Sequence, residues 1–104
     1  MLNLDYNKFI ERSLVLNVQH FDLKDVDFLK SHYTFWEDGY SFRLRVDEDT
    51  EISNDINMQT NLLIELCKEN NIDMIVFDCD GEVSPSLKKF GIETISKVIL
   101  DGVK

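Results

Sequence analysis

The sequence predicts a small domain of the α/β class, or of the α+β class. It consists of a sheet of three to five strands and two main helices, in the order β-α-β-α-β plus a C-terminal element. Three observations predict it. Apolar and polar residues alternate over Ser13–Val18 and Tyr40–Val46, the period of a half-buried strand. Apolar residues recur at helical spacing near 22–31 and again from about 53 to 70, with capping residue types at the ends. Met74-Ile75-Val76-Phe77 is apolar at every position, as a strand buried on both faces must be. With 104 residues, one proline and four glycines, one core and no flexible linker are expected, so residues 1–104 form a single domain.

Taken in order, residues 1–12 carry only scattered apolar positions, Leu4, Phe9 and Ile10, and are expected to be a lead-in. In Ser13–Val18, Leu14, Leu16 and Val18 share one side of the strand and Val15 and Asn17 the other. Asp22 stands where a helix N-cap belongs, and Asp25 is placed to receive first-turn amides of a helix over 22–31. Trp36-Glu37-Asp38-Gly39 reads as a turn, with Gly39 free to take positive φ. In the strand that follows, Tyr40, Phe42, Leu44 and Val46 form an apolar face, and Ser41, Arg43, Arg45 and Asp47 a polar one. Four acids in the five residues Asp47–Glu51 predict an exposed loop. In the second helix, starting near Ser53 or Asn54, the step Met58, Leu62, Leu66 predicts the buried stripe, thickened by Leu63 and Cys67. Asn70-Asn71 supplies the left-handed C-terminal position. After Met74–Phe77, Ser84-Pro85 marks a turn, Leu87 and Phe90 dock on the body, and Ile92–Val103 reads as an edge strand or a helix.

A formal net charge of -9 argues against direct nucleic-acid binding, which draws its affinity from Lys and Arg displacing counterions. It permits basic partners. It also leaves open nucleic-acid mimicry, with Asp47, Glu48, Asp49, Glu51 and Asp55 imitating phosphates. Cys67 and Cys79 lie far from any C-x-x-C spacing, so neither a disulfide framework nor a zinc site is expected. No signal peptide is read at the N-terminus, and no run approaches the roughly 18 apolar residues of a membrane span. The expected compartment is the cytoplasm.

Candidate chemistry gathers after the apolar strand. Asp78, Asp80 and Glu82 at i, i+2, i+4 would share one side of an extended segment and could hold a hard cation, Mg²⁺ or Ca²⁺. The competing expectation, which the sequence favours, is that these acids accept backbone N–H groups at a strand end and turn, and that no cofactor is bound. His20 and His32 have no ligand spacing, and Ser13, Ser84 and Ser86 sit in no nucleophile elbow. The aromatic group Tyr33, Phe35, Trp36, Tyr40 and Phe42 suits either a core or an interface. With the two guanidinium groups beside it, it defines a candidate partner surface of Trp36, Tyr40, Arg43 and Arg45. A homodimer stays open.

Two resemblances follow from these residues. Val76-Phe77-Asp78-Cys79-Asp80-Gly81 is similar to the first motif of the haloacid dehalogenase superfamily. That similarity implies Asp78 as nucleophile, Asp80 as general acid and Mg²⁺ as charge neutraliser. The superfamily's Ser or Thr, Lys and second acidic pair have no evident counterpart in the 24 residues after Asp80. The order of elements also resembles a family of small uncharacterised proteins encoded mainly on bacterial plasmids and phages. The matching residues are Asn17-Val18-Gln19-His20, the aromatic strand Trp36 to Val46, and Leu63, Leu66, Phe77, Asp78, Asp80, Gly81, Leu87 and Phe90. The family's usual aromatic-Asp-Trp ending is replaced here by Phe90-Gly91-Ile92. This resemblance implies a mobile-element setting and no particular activity. From small size, strong negative charge, the aromatic surface candidate and the incomplete catalytic set, the function expected is a non-enzymatic protein-binding module, an inhibitor or immunity-type protein comparable to anti-CRISPR proteins. A metal-dependent phosphatase or phosphotransferase is the alternative.

Overall fold

A strand apolar on both faces is expected inside a sheet, and Met74–Asp78 has a paired strand on each edge. The computed structural model describes residues 2–4 and 10–91. In chain order its elements are β1 (Ser13–Asn17), α1 (Val26–His32), β2 (Phe35–Glu37), β3 (Ser41–Arg45), α2 (Met58–Glu69) and β4 (Met74–Asp78). The strands form one mixed sheet in the order β1-β4-β3-β2. β4 pairs parallel with β1, Ser13 opposite Met74, and antiparallel with β3, Phe42 opposite Phe77. β2 completes a hairpin with β3, Trp36 opposite Arg43. The result is the expected small α/β domain, with four strands and two α-helices among the described residues.

The register sorts residues between the two sheet faces. Leu14, Leu16, Phe35, Phe42, Leu44, Ile75 and Phe77 share one face, and pack with Leu29 of α1 and Leu63, Ile64 and Cys67 of α2 in one core. Val15, Trp36, Arg43, Arg45, Met74 and Val76 share the other. Phe21, between β1 and α1, plugs the centre. Its ring centroid lies 4.7 Å from Phe42, 4.9 Å from Phe77 and 5.8 Å from Phe35. Each such pair adds about 1 kcal/mol beyond area burial. The aromatic group of the sequence is therefore divided: Phe42 is fully buried and Phe35 packs on the core, while Trp36 and Tyr40 are exposed.

Five expectations are corrected. Trp36-Glu37 is not turn but strand, because β3 offers it a pairing edge; only Asp38-Gly39 turns, with Gly39 at φ 91°. The first helix is not continuous over 22–31. Asp22 caps a 3₁₀ turn, Leu23–Asp25, by accepting from the Lys24 amide, and the α-helix begins at Val26. Asp25 does not answer its own first turn but reaches α2. α2 begins at Met58 rather than near Ser53, because the Asn57 side chain takes the Gln59 amide while Asn61 holds both backbone groups of Ser53. Its buried stripe is Thr60, Leu63, Ile64 and Cys67, whereas Met58, Leu62 and Leu66 face solvent. At the far end the expected left-handed residue is Asn71, φ 55°, and the Ile72 amide closes on the Cys67 carbonyl. Phe9 of the lead-in and the predicted element over 92–103 lie outside the described residues.

Candidate functional sites

The acidic turn after β4 is assembled from backbone outward. The Gly81 amide donates to the Asp78 carbonyl at 3.1 Å, closing the turn, and the Asp78 carboxylate accepts the Asp80 amide at 2.8 Å. The Asn17 amide donates to the Glu82 carbonyl, and the Asn17 side chain donates to the Gly81 carbonyl at 2.8 Å. The turn thus folds over the end of β1, where only glycine fits: a Cβ at Gly81 would lie 2.3 Å from the Leu16 carbonyl oxygen. Possible ligand atoms of Asp78, Cys79 and Asp80 lie within 4.8 Å of one another. Glu82, expected as a third ligand, is not in this group, because the chain turns here instead of running extended. Burial, then the charges of Asp80 and Asp78, push the Cys79 thiol above its ordinary value. A thiol held protonated is a poor nucleophile. The Asp78 carboxylate meets the expectation of a turn cap.

A second polar cluster, unread in the sequence, joins three parts of the chain. His20 is buried; its Nε2 accepts the Ser84 amide at 2.9 Å, and its Nδ1 lies 3.0 Å from the Lys88 carbonyl. These partners assign the neutral tautomer with the proton on Nδ1. Gln59 of α2 reaches the same segment, donating to the His20 and Lys88 carbonyls and accepting the Lys88 amide. Asp25, buried beside the start of α2, accepts the Asn57 amide at 2.9 Å and the Thr60 hydroxyl at 2.8 Å. Burial pushes its carboxyl above the ordinary value, against the pull of those two bonds. Every group in this cluster is matched to another, which marks it as a structural clamp.

The expected partner surface is brought together in part. Tyr40 is 70% exposed and Trp36 37%. Arg43 turns back to the turn, its Nε 3.2 Å from the Asp38 carboxylate and 3.1 Å from Ser41 Oγ, and Arg45 pairs with Glu11 at 2.8 Å. Burial pushes Asp38 up, but the Tyr40 and Ser41 amides, the Ser41 hydroxyl and Arg43 outweigh it, so its carboxyl sits below the ordinary value. Both guanidinium groups are therefore engaged within the chain.

A larger apolar surface lies on the outward side of α2. Met58, Leu62 and Leu66 are 76%, 57% and 43% exposed, and Ile52 in the preceding loop is 52% exposed. Ile52, Ile56, Met58 and Leu62 line an open hollow of about 430 Å³. A neighbouring hollow is lined by Glu51, Ile52, Glu65, Lys68 and Glu69. The acids Asp47, Glu48, Asp49 and Glu51 are exposed, as expected of that loop. The signal for this surface was in the sequence as the stripe 58, 62, 66; periodicity gives the spacing of a stripe, not which of two stripes faces inward.

Comparison with protein-family models, with curated proteins and with solved structures returned no match. No described helix is long and apolar enough to cross a membrane.

Proposed function

We propose that the chain is a protein-binding module that acts by covering a surface of another protein, without catalysing a reaction. One observation carries this reading: α2 has a second apolar stripe, Met58, Leu62 and Leu66, left in water after its first stripe has filled the core. Contiguous exposed apolar area opposes solubility, and where a folded chain keeps it a partner usually covers it. The hairpin pair Trp36 and Tyr40 offers a smaller contact of the same kind. The inhibitor or immunity role draws on small size, negative charge and an incomplete catalytic set in the sequence, and the plasmid or phage setting rests on the family resemblance alone.

A photo-crosslinking benzoylphenylalanine placed at Leu62, at Tyr40, or at the exposed Ser31 of α1 tests this in lysate of the native host. The Leu62 position is expected to give a discrete adduct that the Ser31 position does not. Equal labelling from both positions, or none from either Leu62 or Tyr40, would remove the reading.

A further inference from the structure

The groove on α2 has a floor, a wall and a rim, and together these specify a partner. The floor is Met58 and Leu62, and the exposed stripe runs on past it to Leu66, the three at i, i+4 and i+8 along about 12 Å of helix. The wall is the loop carrying Ile52 and Ile56. It is pinned before any partner arrives: Asn61 accepts the Ser53 amide at 3.0 Å and donates to its carbonyl at 2.7 Å, and Lys68 Nζ donates to the Thr50 carbonyl at 2.8 Å. The rim carries carboxylates, Glu51, Glu65 and Glu69, with exposed Asp55 on the wall loop. None of the four is in an ion pair with a described residue. Lys68, the cation among them, is turned toward the Thr50 carbonyl.

We infer that this groove takes a basic amphipathic helix of another protein, a deepening of the protein-binding reading on which it rests. A helix presents apolar side chains three and four residues apart, which matches the spacing of the floor, and Lys or Arg flanking that stripe meets the acidic rim. A second copy of this chain fits poorly. Two-fold pairing of the same face would set Glu65 and Glu69 against their own copies in a protein already at net charge -9. An added strand is also disfavoured, since the groove offers side chains and no free sheet edge.

The probe is a labelled five-turn synthetic peptide of Leu and Lys only, with Leu on one helical face, followed by fluorescence anisotropy against the full chain. Saturable binding is expected, weakened about tenfold by Leu62→Asn or Met58→Asn, as for residues central to a contact. Glu65→Lys is expected to weaken it too, and added salt to weaken it further. A peptide of the same composition with Leu scattered around the helix is expected to bind far less, and one with Glu for Lys not at all. The substituted positions are exposed, and circular dichroism checks that each variant folds. Equal binding of the scattered peptide, or no loss with Leu62→Asn, overturns the inference. So does a dimer in sedimentation that Leu62→Asn abolishes, which would assign the groove to a second copy. A native adduct at Leu62 without peptide binding would overturn the helix chemistry and leave the protein-binding reading standing. Absence of peptide binding together with absence of an adduct at both Leu62 and Tyr40 would remove both.

Discussion

A methyl group at position 81 would sit 2.3 Å from the Leu16 carbonyl oxygen and 2.8 Å from the Asn17 nitrogen, so the backbone of β1 or of the turn would have to move. Gly81→Ala is expected to lower stability by about 1–3 kcal/mol, the range for forced overpacking, read as a lower urea midpoint at unchanged slope. His20→Ala leaves the Ser84 amide without its partner and the Lys88 carbonyl with Gln59 alone, a cost of about 1–3 kcal/mol, and the Ser84 amide should then exchange with deuterium markedly faster. Asp25 gives a pH dependence of definite sign. Its folded pKa is raised above the ordinary 3.8, so the folded state holds that proton more tightly. The stability it contributes is complete below the unfolded value and is lost as pH rises through the folded one. Asp38, lowered, works the opposite way. The measurement is therefore the stability difference between wild type and Asp25→Asn, which is expected to fall as pH rises from below 3.8; a flat difference would contradict the assignment. At this scale the sequence was legible where a residue acts on its near neighbours: Asp22 on Lys24, Asp78 on Asp80, Gly39 in its turn. It was illegible where the partner is distant. His20 meets Ser84 across 64 positions and Asp25 meets Thr60 across 35, pairings that only the completed fold creates.

Among the elements, α2 carries the sharpest expectation. Leu62 and Leu63 are adjacent and chemically identical, yet one is 57% exposed and the other 5%. Leu63→Ala should cost about 2–5 kcal/mol through the cavity it opens, and Leu62→Ala about 0.5 kcal/mol or less, both by chemical denaturation. Similar costs at the two positions would mean that the inward face of the helix has been misassigned. Helix existence was readable, as was its Asn70-Asn71 end, because period and end chemistry are local. Phase was not, because apolar residues surround more than half the helix and only the sheet decides which stripe docks. The three-residue β2 escaped for a related reason: so short a strand owes its form to the hydrogen bonds of β3 rather than to propensity.

At the scale of the whole molecule, the reading of Met74–Phe77 as the centre of the sheet survived best, since burial on both faces leaves a mark in composition itself. Backbone amides of Ile75, Val76 and Phe77 are accordingly expected in the slowest class of native-state hydrogen exchange, with those of β2 much faster. The order of the other strands left no such mark, because nothing in β1 or β3 states which edge of β4 each will occupy. That arrangement bears on how the protein is made. β1 and β3 touch only through β4, so a ribosome that has released residues up to Asp73 has delivered both flanking strands and not the piece that joins them. Folding of the sheet must then wait for the last described strand to leave the exit tunnel. A message cut short before Met74 would yield a chain ready for proteolysis, not a smaller working version of the protein.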